Sequence, residues 1–216
     1  MPLANLDYQK IAYVKLGDDG GNDFVSMLKK YTKVDVVSDE NLDGLLKKLK
    51  PYNQVIIGFH KSNNHPWKSY KFSQKELVWL QEIARNKNVI LDVFTSPYSL
   101  LQIKSFTNIE TVLVSYQNSK LAQELSAQII FGAVKANGKL PVSIGDDFKE
   151  GFGIDTYRLS RLEYTIPEAA KMSSTKLAFI DTISKTILEE KMAPGFQVLV
   201  ARKGKVVYEK SFGYHT

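Results

Sequence analysis

Five short apolar segments, separated by stretches of helical periodicity, leave few folds open to the first two thirds of this chain. They are KIAYVKLG (10–17), VDVVSD (34–39), QVIIGFH (54–60), NVILDVFTS (88–96) and TVLVSYQ (111–117). Each has the length of a strand and too little polar alternation to face water on one side, so each reads as a strand covered on both faces. Between them lie helical patterns. Residues 23–30 form a short one, and 41–50 place Leu42, Leu45, Leu46 and Leu49 on one face. Ser73 with Glu76 three residues on is a capping box, and Leu77, Leu80, Ile83 and Ala84 line the helix it opens. Residues 98–104 allow a helical turn or two. Strands alternating with helices predict βα units joined by right-handed crossovers. The expected fold is therefore an α/β class, doubly wound three-layer α/β/α sandwich with a mostly parallel sheet, over residues 1–145.

The segment LAQELSAQIIFGAVKANGKLPVSI (121–144) closes that domain. Ser119 caps its helix. Leu121, Leu125 and Ile129 recur at i, i+4 and i+8, with Ala122 and Ile130 widening the same stripe, which is expected to be buried. Gly132 marks the helix stop. Asn137-Gly138 is a turn signal, and Pro141 suits an edge strand better than a central one.

From residue 146 the pattern lapses. GDDFKEGFGIDTYRLSRLEYTIPEAAKMSS has no sustained period, so 146–173 is expected to be an extended linker. A helix marked by Leu177, Ile180, Ile183, Ile187 and Leu188 follows, ending before Pro194-Gly195. Two strands joined at Lys203-Gly204 complete the chain. One helix and one hairpin amount to an incomplete α+β piece over 174–216, short of what usually folds alone. The hairpin residues Val198, Val200, Val206, Tyr208 and Phe212 are left seeking partners.

Composition narrows the function classes. Hydrophobic residues make up 44% of the chain and charged residues 24%, as in ordinary globular proteins. The net charge of +6 rests on lysine, since the arginines are Arg85, Arg158, Arg161 and Arg202 alone. Nucleic-acid readers favour arginine for bidentate contacts, and no basic stripe interleaved with aromatics occurs, so no nucleic-acid partner is expected. No apolar run reaches membrane-spanning length, and MPLANLDYQK has no signal-peptide core. Without cysteine there is no disulfide, thiolate metal site or cysteine nucleophile.

Chemistry-bearing candidates are few. The Gly17–Asn22 turn sits where dinucleotide binders hold phosphate, but it lacks the G-x-G-x-x-G spacing and carries two aspartates, which repel a pyrophosphate. His60 and His65 flank a polar loop containing Trp67 and Lys68, with no third metal ligand beside them. Neither a metal nor a cofactor is expected. In a doubly wound sheet the loops carrying Asp18, Asp19, His60, Ser96-Pro97-Tyr98 and Asn118 should gather at the C-terminal edge, where ligands bind. Asp18, Asp19, His60, His65, Trp67 and Asn118 are accordingly the candidate substrate-contacting residues. S-x-x-K occurs at Ser26–Lys29 and Ser173–Lys176, and Y-x-N at Tyr116–Asn118. These are motif types of penicillin-recognising serine hydrolases, yet they fall on separate elements and are expected to be chance patterns.

Two resemblances cover nearly the whole chain. Pro2-Leu3 with Lys10-Ile11-Ala12, and Phe131-Gly132 followed by Gly138-Lys139-Leu140-Pro141-Val142-Ser143, resemble the opening and closing segments of the C-terminal α/β domain of glycoside hydrolase family 3. Arg161-Leu162-x-Tyr164 with Pro167-Glu168, then Pro194–Val198 and Gly204–Tyr208 with Phe212-Gly213, resemble the linker, opening helix and hairpin of a fused serine β-lactamase-type domain in bacterial members. The resemblance implies a parent with an upstream (β/α)8 barrel and a downstream serine-hydrolase domain as partners in the same polypeptide. That parent would be a retaining β-N-acetylhexosaminidase-like enzyme acting on terminal β-linked N-acetylglucosamine or related sugars, in the periplasm or outside the cell. Its nucleophilic aspartate and Asp–His acid/base would lie on the barrel, and the serine nucleophile beyond Thr216, so no catalytic residue is carried over. In the β-glucosidase-like branch a glutamate of the α/β domain serves as acid/base, for which Glu76, Glu82, Glu110 and Glu124 are the candidates. The function expected is an accessory domain, inactive alone. The alternatives are a carbohydrate- or peptidoglycan-binding module and a β-lactamase- or esterase-type serine hydrolase.

Overall fold

The computed structural model describes residues 1–62, 64–65 and 67–214. It divides into two compact units, Met1–Leu159 and Ser160–Thr216. The first unit carries a five-stranded, wholly parallel sheet: β1 (Ile11–Gly17), β2 (Val34–Val36), β3 (Gln54–His60), β4 (Asn88–Phe94) and β5 (Ile109–Val114), in the order β2-β1-β3-β4-β5. This is the doubly wound α/β architecture expected. The order reverses between β1 and β3, which makes their C-terminal ends the topological switch point. Register brings Gly17, His60 and Phe94 side by side there.

Three helices connect the strands, α1 (Asn22–Leu28), α2 (Leu42–Leu49) and α3 (Gln74–Asn86), and a fourth, α4 (Lys120–Ile130), follows β5. A 3-10 turn, Pro97–Gln102, bridges β4 and β5. Leu45 and Leu49 of α2 and Leu80 and Ile83 of α3 are fully buried in one cluster with Val55, Ile57, Val89 and Leu91 of the sheet. Helices α1 and α4 pack against each other. Here the core is aromatic, with Tyr13, Phe24 and Phe94 in edge-to-face contact. Local chemistry fixes the helix starts. Asn41 accepts from Gly44 N at 2.8 Å, and Ser73 and Glu76 form the reciprocal box that their spacing announces.

Two local expectations fail. On α4, Ile130 is buried as expected and Ala122 and Ile129 are half-buried, but Leu121 and Leu125 face solvent, while Gln123, Ser126, Ala127 and Gln128 are buried. The helix is where the periodicity puts it, but it is turned about its axis because its polar residues are needed inside. The Gly138–Ser143 stretch also forms no strand. It is stitched to the segment after it: Leu140 N donates to Phe152 O at 2.8 Å, Gly151 N to Leu140 O at 2.8 Å, and Lys139 Nζ reaches Asp155 at 2.9 Å. Thr156 N then bonds Ala136 O, and Leu159 N bonds Gly132 O. The border between the compact units thus falls at 159/160, inside the stretch expected to be linker.

The second unit has a three-stranded mixed sheet, β6 (Glu163–Tyr164), β8 (Lys205–Gly213) and β7 (Gly195–Arg202), in the order β6-β8-β7. β7 and β8 form the expected hairpin. Lys203 and Gly204 both have positive φ, 52° and 75°, as the twist of a two-residue hairpin demands. The helical stretch is split in two, α5 (Ser174–Leu177) and α6 (Phe179–Glu189). β6 was not expected, and it gives β8 a parallel partner inside the unit, reinforced by Lys205 Nζ on Glu163 at 2.8 Å. Val206 and Val207 are buried there. Among the described residues no helix is long and apolar enough to cross a membrane.

Candidate functional site

The switch point at the C-terminal edge of the sheet is built around His60, the last residue of β3. Its side chain is fully buried and lies flat on Phe94, with ring centroids 4.4 Å apart. Backbone approaches it closely on several sides. A Cβ at Gly21 would stand 2.5 Å from the Tyr13 hydroxyl and 2.7 Å from His60 Nε2, and one at Gly17 or Gly58 would collide with His60 outright. Only glycine fits at these positions.

Both ring nitrogens are engaged, and the partners fix the tautomer. Nδ1 lies 2.7 Å from Asn118 Oδ1, which can only accept, so Nδ1 carries the proton. Nε2, 2.8 Å from the Tyr13 hydroxyl, then accepts from it. Burial pushes His60 down to about 4, so the ring is neutral at physiological pH. The same desolvation raises the Tyr13 phenol above its ordinary range. A sealed, neutral histidine with both nitrogens committed ties strands and loops together. It has no free face for a substrate or a metal.

Asn118 and Gln123 extend this network. Asn118 Nδ2 donates to Gly20 O at 2.9 Å, and Gln123 Nε2 donates to Asn118 Oδ1 at 2.9 Å and to Gly20 O at 3.2 Å. Gln123 Oε1 accepts from Phe24 N at 3.0 Å. Helix α1 begins after Gly21, which has no side chain to cap it, so α4 supplies the missing acceptor from 99 residues away. A hydrogen bond from Asn118, with further help from Gly20 N and Lys68, holds the Asp19 carboxyl below its usual range. Asp19 is therefore an anion and not a proton donor. Asp18 pairs with Lys61 Nζ at 3.4 Å; the lysine side chain is only 11% exposed and the carboxylate 66%.

His65 and Trp67 stand apart from this buried group, on the loop after β3. Their rings stack at 5.2 Å with 13° between planes, and Trp67 is 80% exposed. The six candidates thus separate into the buried His60 with half-buried Asn118 at its rim, an acidic pair, Asp18 and Asp19, and an outer aromatic pair. Among the described residues no group of three or more His, Cys, Asp or Glu side chains converges.

The acidic candidates are committed to structure or lie out on the surface. Glu76 accepts from Ser73 N at 2.6 Å with one oxygen and from Gly17 N at 2.8 Å with the other, joining the α3 cap to the end of β1. Glu82 pairs with Arg85 and Glu124 with Lys120. Glu110 is exposed on β5. Ser173 accepts from Lys176 N and caps α5, so that S-x-x-K is a helix start. The carboxyl that burial pushes up, to about 6, is Asp92 on β4. It is fully buried and accepts from Ser126 of α4 and from Ser115 at 2.8 Å. Sequence reasoning passed over it, although an aspartate in the middle of the apolar run NVILDVF was the signal.

No protein-family model matches the chain, and no curated protein matches it. Among solved structures the chain is similar to a beta-glucoside phosphorylase, BglX, with a TM-score of 0.46 and 12% identity. The match covers 61% of this chain and 25% of that one, so the chain spans about a quarter of the phosphorylase's length.

Proposed function

We propose that this chain is an accessory, non-catalytic domain of a retaining glycoside hydrolase resembling the family 3 β-N-acetylhexosaminidases, whose parent acts on terminal β-linked N-acetylglucosamine or related sugars. What supports this reading, beside the motif resemblance, is the state of the carboxyl groups. Retaining hydrolysis needs two of them about 5 Å apart across the bond, one raised in pKa to act as acid. Here Asp19 is held ionised, Glu76 is bound by two backbone N–H groups, and Asp92 is raised but sealed under α4. The chemistry is then left to residues outside this chain. A chromogenic N-acetylglucosaminide assay on the chain alone should give no turnover above background, and robust turnover would overturn the proposal.

A second reading, a carbohydrate- or peptidoglycan-binding module, is favoured by the Trp67 indole, whose one face rests on His65 while most of its surface meets solvent. Such a platform suits stacking against a sugar ring, with Asp18 and Asp19 on the loop after β1, at the same end of the sheet, to accept hydroxyls. Titration with muropeptides should then shift Trp67 fluorescence saturably and Trp67→Ala should abolish the shift. A flat trace leaves the accessory role alone standing.

A further inference from the structure

The edge of the sheet opposite the switch point is basic, and strand register makes it so. Ile11 pairs with Val34 and with Gln54, and Gln54 pairs with Asn88. The residues one step earlier therefore stand in a row across the N-terminal ends of four strands: Lys33, Lys10, Asn53 and Lys87. Neighbours in such a row are about 5 Å apart. Lys29 and Lys30 at the end of α1, and Lys47 and Lys50 at the end of α2, extend the charge to both sides of the sheet. All these lysines are exposed except Lys87, whose Nζ donates to Lys50 O at 2.9 Å and to Tyr52 O at 2.7 Å. The acids of this edge are Asp7, Asp35, Glu82 and Glu110; Asp35 accepts from the Tyr52 hydroxyl at 3.1 Å and Glu82 is held by Arg85. Lysines that close a helix complement its dipole, which accounts for those on α1 and α2. It does not account for Lys10 and Lys33, because they precede strands, and a sheet has almost no net dipole.

We propose that this edge docks on an anionic lipid surface, a role beyond the accessory one above. The chemistry of the row selects that partner. Protein interfaces are depleted in lysine and are built round an apolar centre, which the row lacks. A nucleic-acid site would favour arginine and a series of stacking aromatics, and Arg85 at this edge is taken by Glu82. A lipid surface asks only for positive charge close to it, and each lysine brought there strengthens binding about fivefold. Strand starts and helix ends spread that charge over a broad face. Tyr8 fits the same partner. It is 82% exposed, and its carbonyl accepts from Asn53 Nδ2 at 3.1 Å, which ties it to the row. Tyrosine settles at the level of lipid headgroups.

Flotation of the full chain with lipid vesicles tests this. The chain should bind equimolar phosphatidylglycerol–phosphatidylcholine vesicles at low salt and ignore vesicles of phosphatidylcholine alone. It should come off at about 0.5 M salt, where the range of unscreened charge shortens to about 4 Å. Lys10→Gln with Lys33→Gln should weaken binding about thirtyfold. Lys29→Gln with Lys47→Gln, at the helix ends, is an independent pair with the same expectation. Lys176→Gln with Lys185→Gln removes equal charge from the second unit and should weaken binding by less than about threefold. Circular dichroism confirms that each variant is folded. Absence of binding to the anionic vesicles at low salt overturns the proposal. So does equal weakening by all three pairs, which would make net charge alone the cause. Capture of a single-stranded oligonucleotide in preference to the vesicles, lost with Lys10→Gln and Lys33→Gln, would assign the row to nucleic acid and likewise overturn it.

Discussion

The two faces of the central sheet are held by opposite chemistry. Helices α2 and α3 cover theirs with Leu45, Leu49, Leu80 and Ile83 on aliphatic strand residues, an oil-on-oil contact that any close packing satisfies. On the other face the strands offer Tyr13, His60 and Asp92, and α4 answers with Gln123 and Ser126. Apolar packing is non-directional, so it tolerates small shifts. A buried hydrogen-bond network is directional and must be complete, because each unpaired group costs its full desolvation. The second face therefore fixes the loops of the switch point in one arrangement, in addition to its own apolar burial of Tyr13, Phe24, Phe94 and Phe131.

Substitutions can break this contrast in order of size. Leu80→Ala on the aliphatic face opens a cavity at a fully buried position and should cost about 2–5 kcal/mol in urea unfolding. Gln123→Leu keeps the volume but strands Phe24 N and leaves Gly20 O with Asn118 as its donor, and should cost about 1–3 kcal/mol. Hydrogen exchange at Phe24 and in the Gly20 loop should speed up in that variant, whereas Leu80→Ala should leave the loop's local protection less affected.

The polar face should also carry the pH dependence. Asp92 is raised in the folded state, so the folded chain holds that proton more tightly than the unfolded one. Its stabilisation is full below the ordinary carboxylate range and is lost as pH rises through about 6. His60 acts in reverse: it is depressed, so its contribution is present above the ordinary histidine range and fades as pH falls toward about 4. Between about pH 4 and 6 the two contributions oppose each other, so Asp92→Asn should unmask the His60 slope, with stability rising with pH more steeply than in wild type. Thermal unfolding across that range measures both; an unchanged profile would mean that Asp92 does not titrate as described. The smallest effect is expected from Leu125→Ala. A leucine at the same helical spacing as those of α3, but facing water, should change stability by no more than about 0.5 kcal/mol.

Much of the first unit, and the hairpin of the second, was legible beforehand. The five strands, the capping box at Ser73 and Glu76, the cap at Ser119 and the turn at Lys203-Gly204 each follow from local spacing or backbone conformation. The candidate edge was legible too, since a parallel sheet sends Asp18, Asp19, His60 and Asn118 to the same end. What was not legible is which of them meet. His60 reads as a loop ligand because it ends a strand; only the glycines packed around it show that it is sealed. The α4 stripe misled because a helix carries several faces at once. Leu121 and Leu125 lie on one, and Gln123, Ser126, Ala127 and Ile130 on another, so the stripe read from periodicity, which counted Ile130 with the leucines, straddles the two. Asp92 was the clue that could have decided between them, since a buried carboxyl requires donors from the helix above it.

The sequence by itself determined where strands and helices run, which caps open them and which end of the sheet gathers the polar loops, because these depend on neighbours within a few residues. Tertiary structure alone decided the rotation of α4, the cap that Gln123 lends to α1, the second unit's extra strand β6 and the folding-back of residues 138–159. Each of these joins groups far apart in sequence whose polar atoms must be satisfied together, and that requirement takes precedence over the apolar stripe.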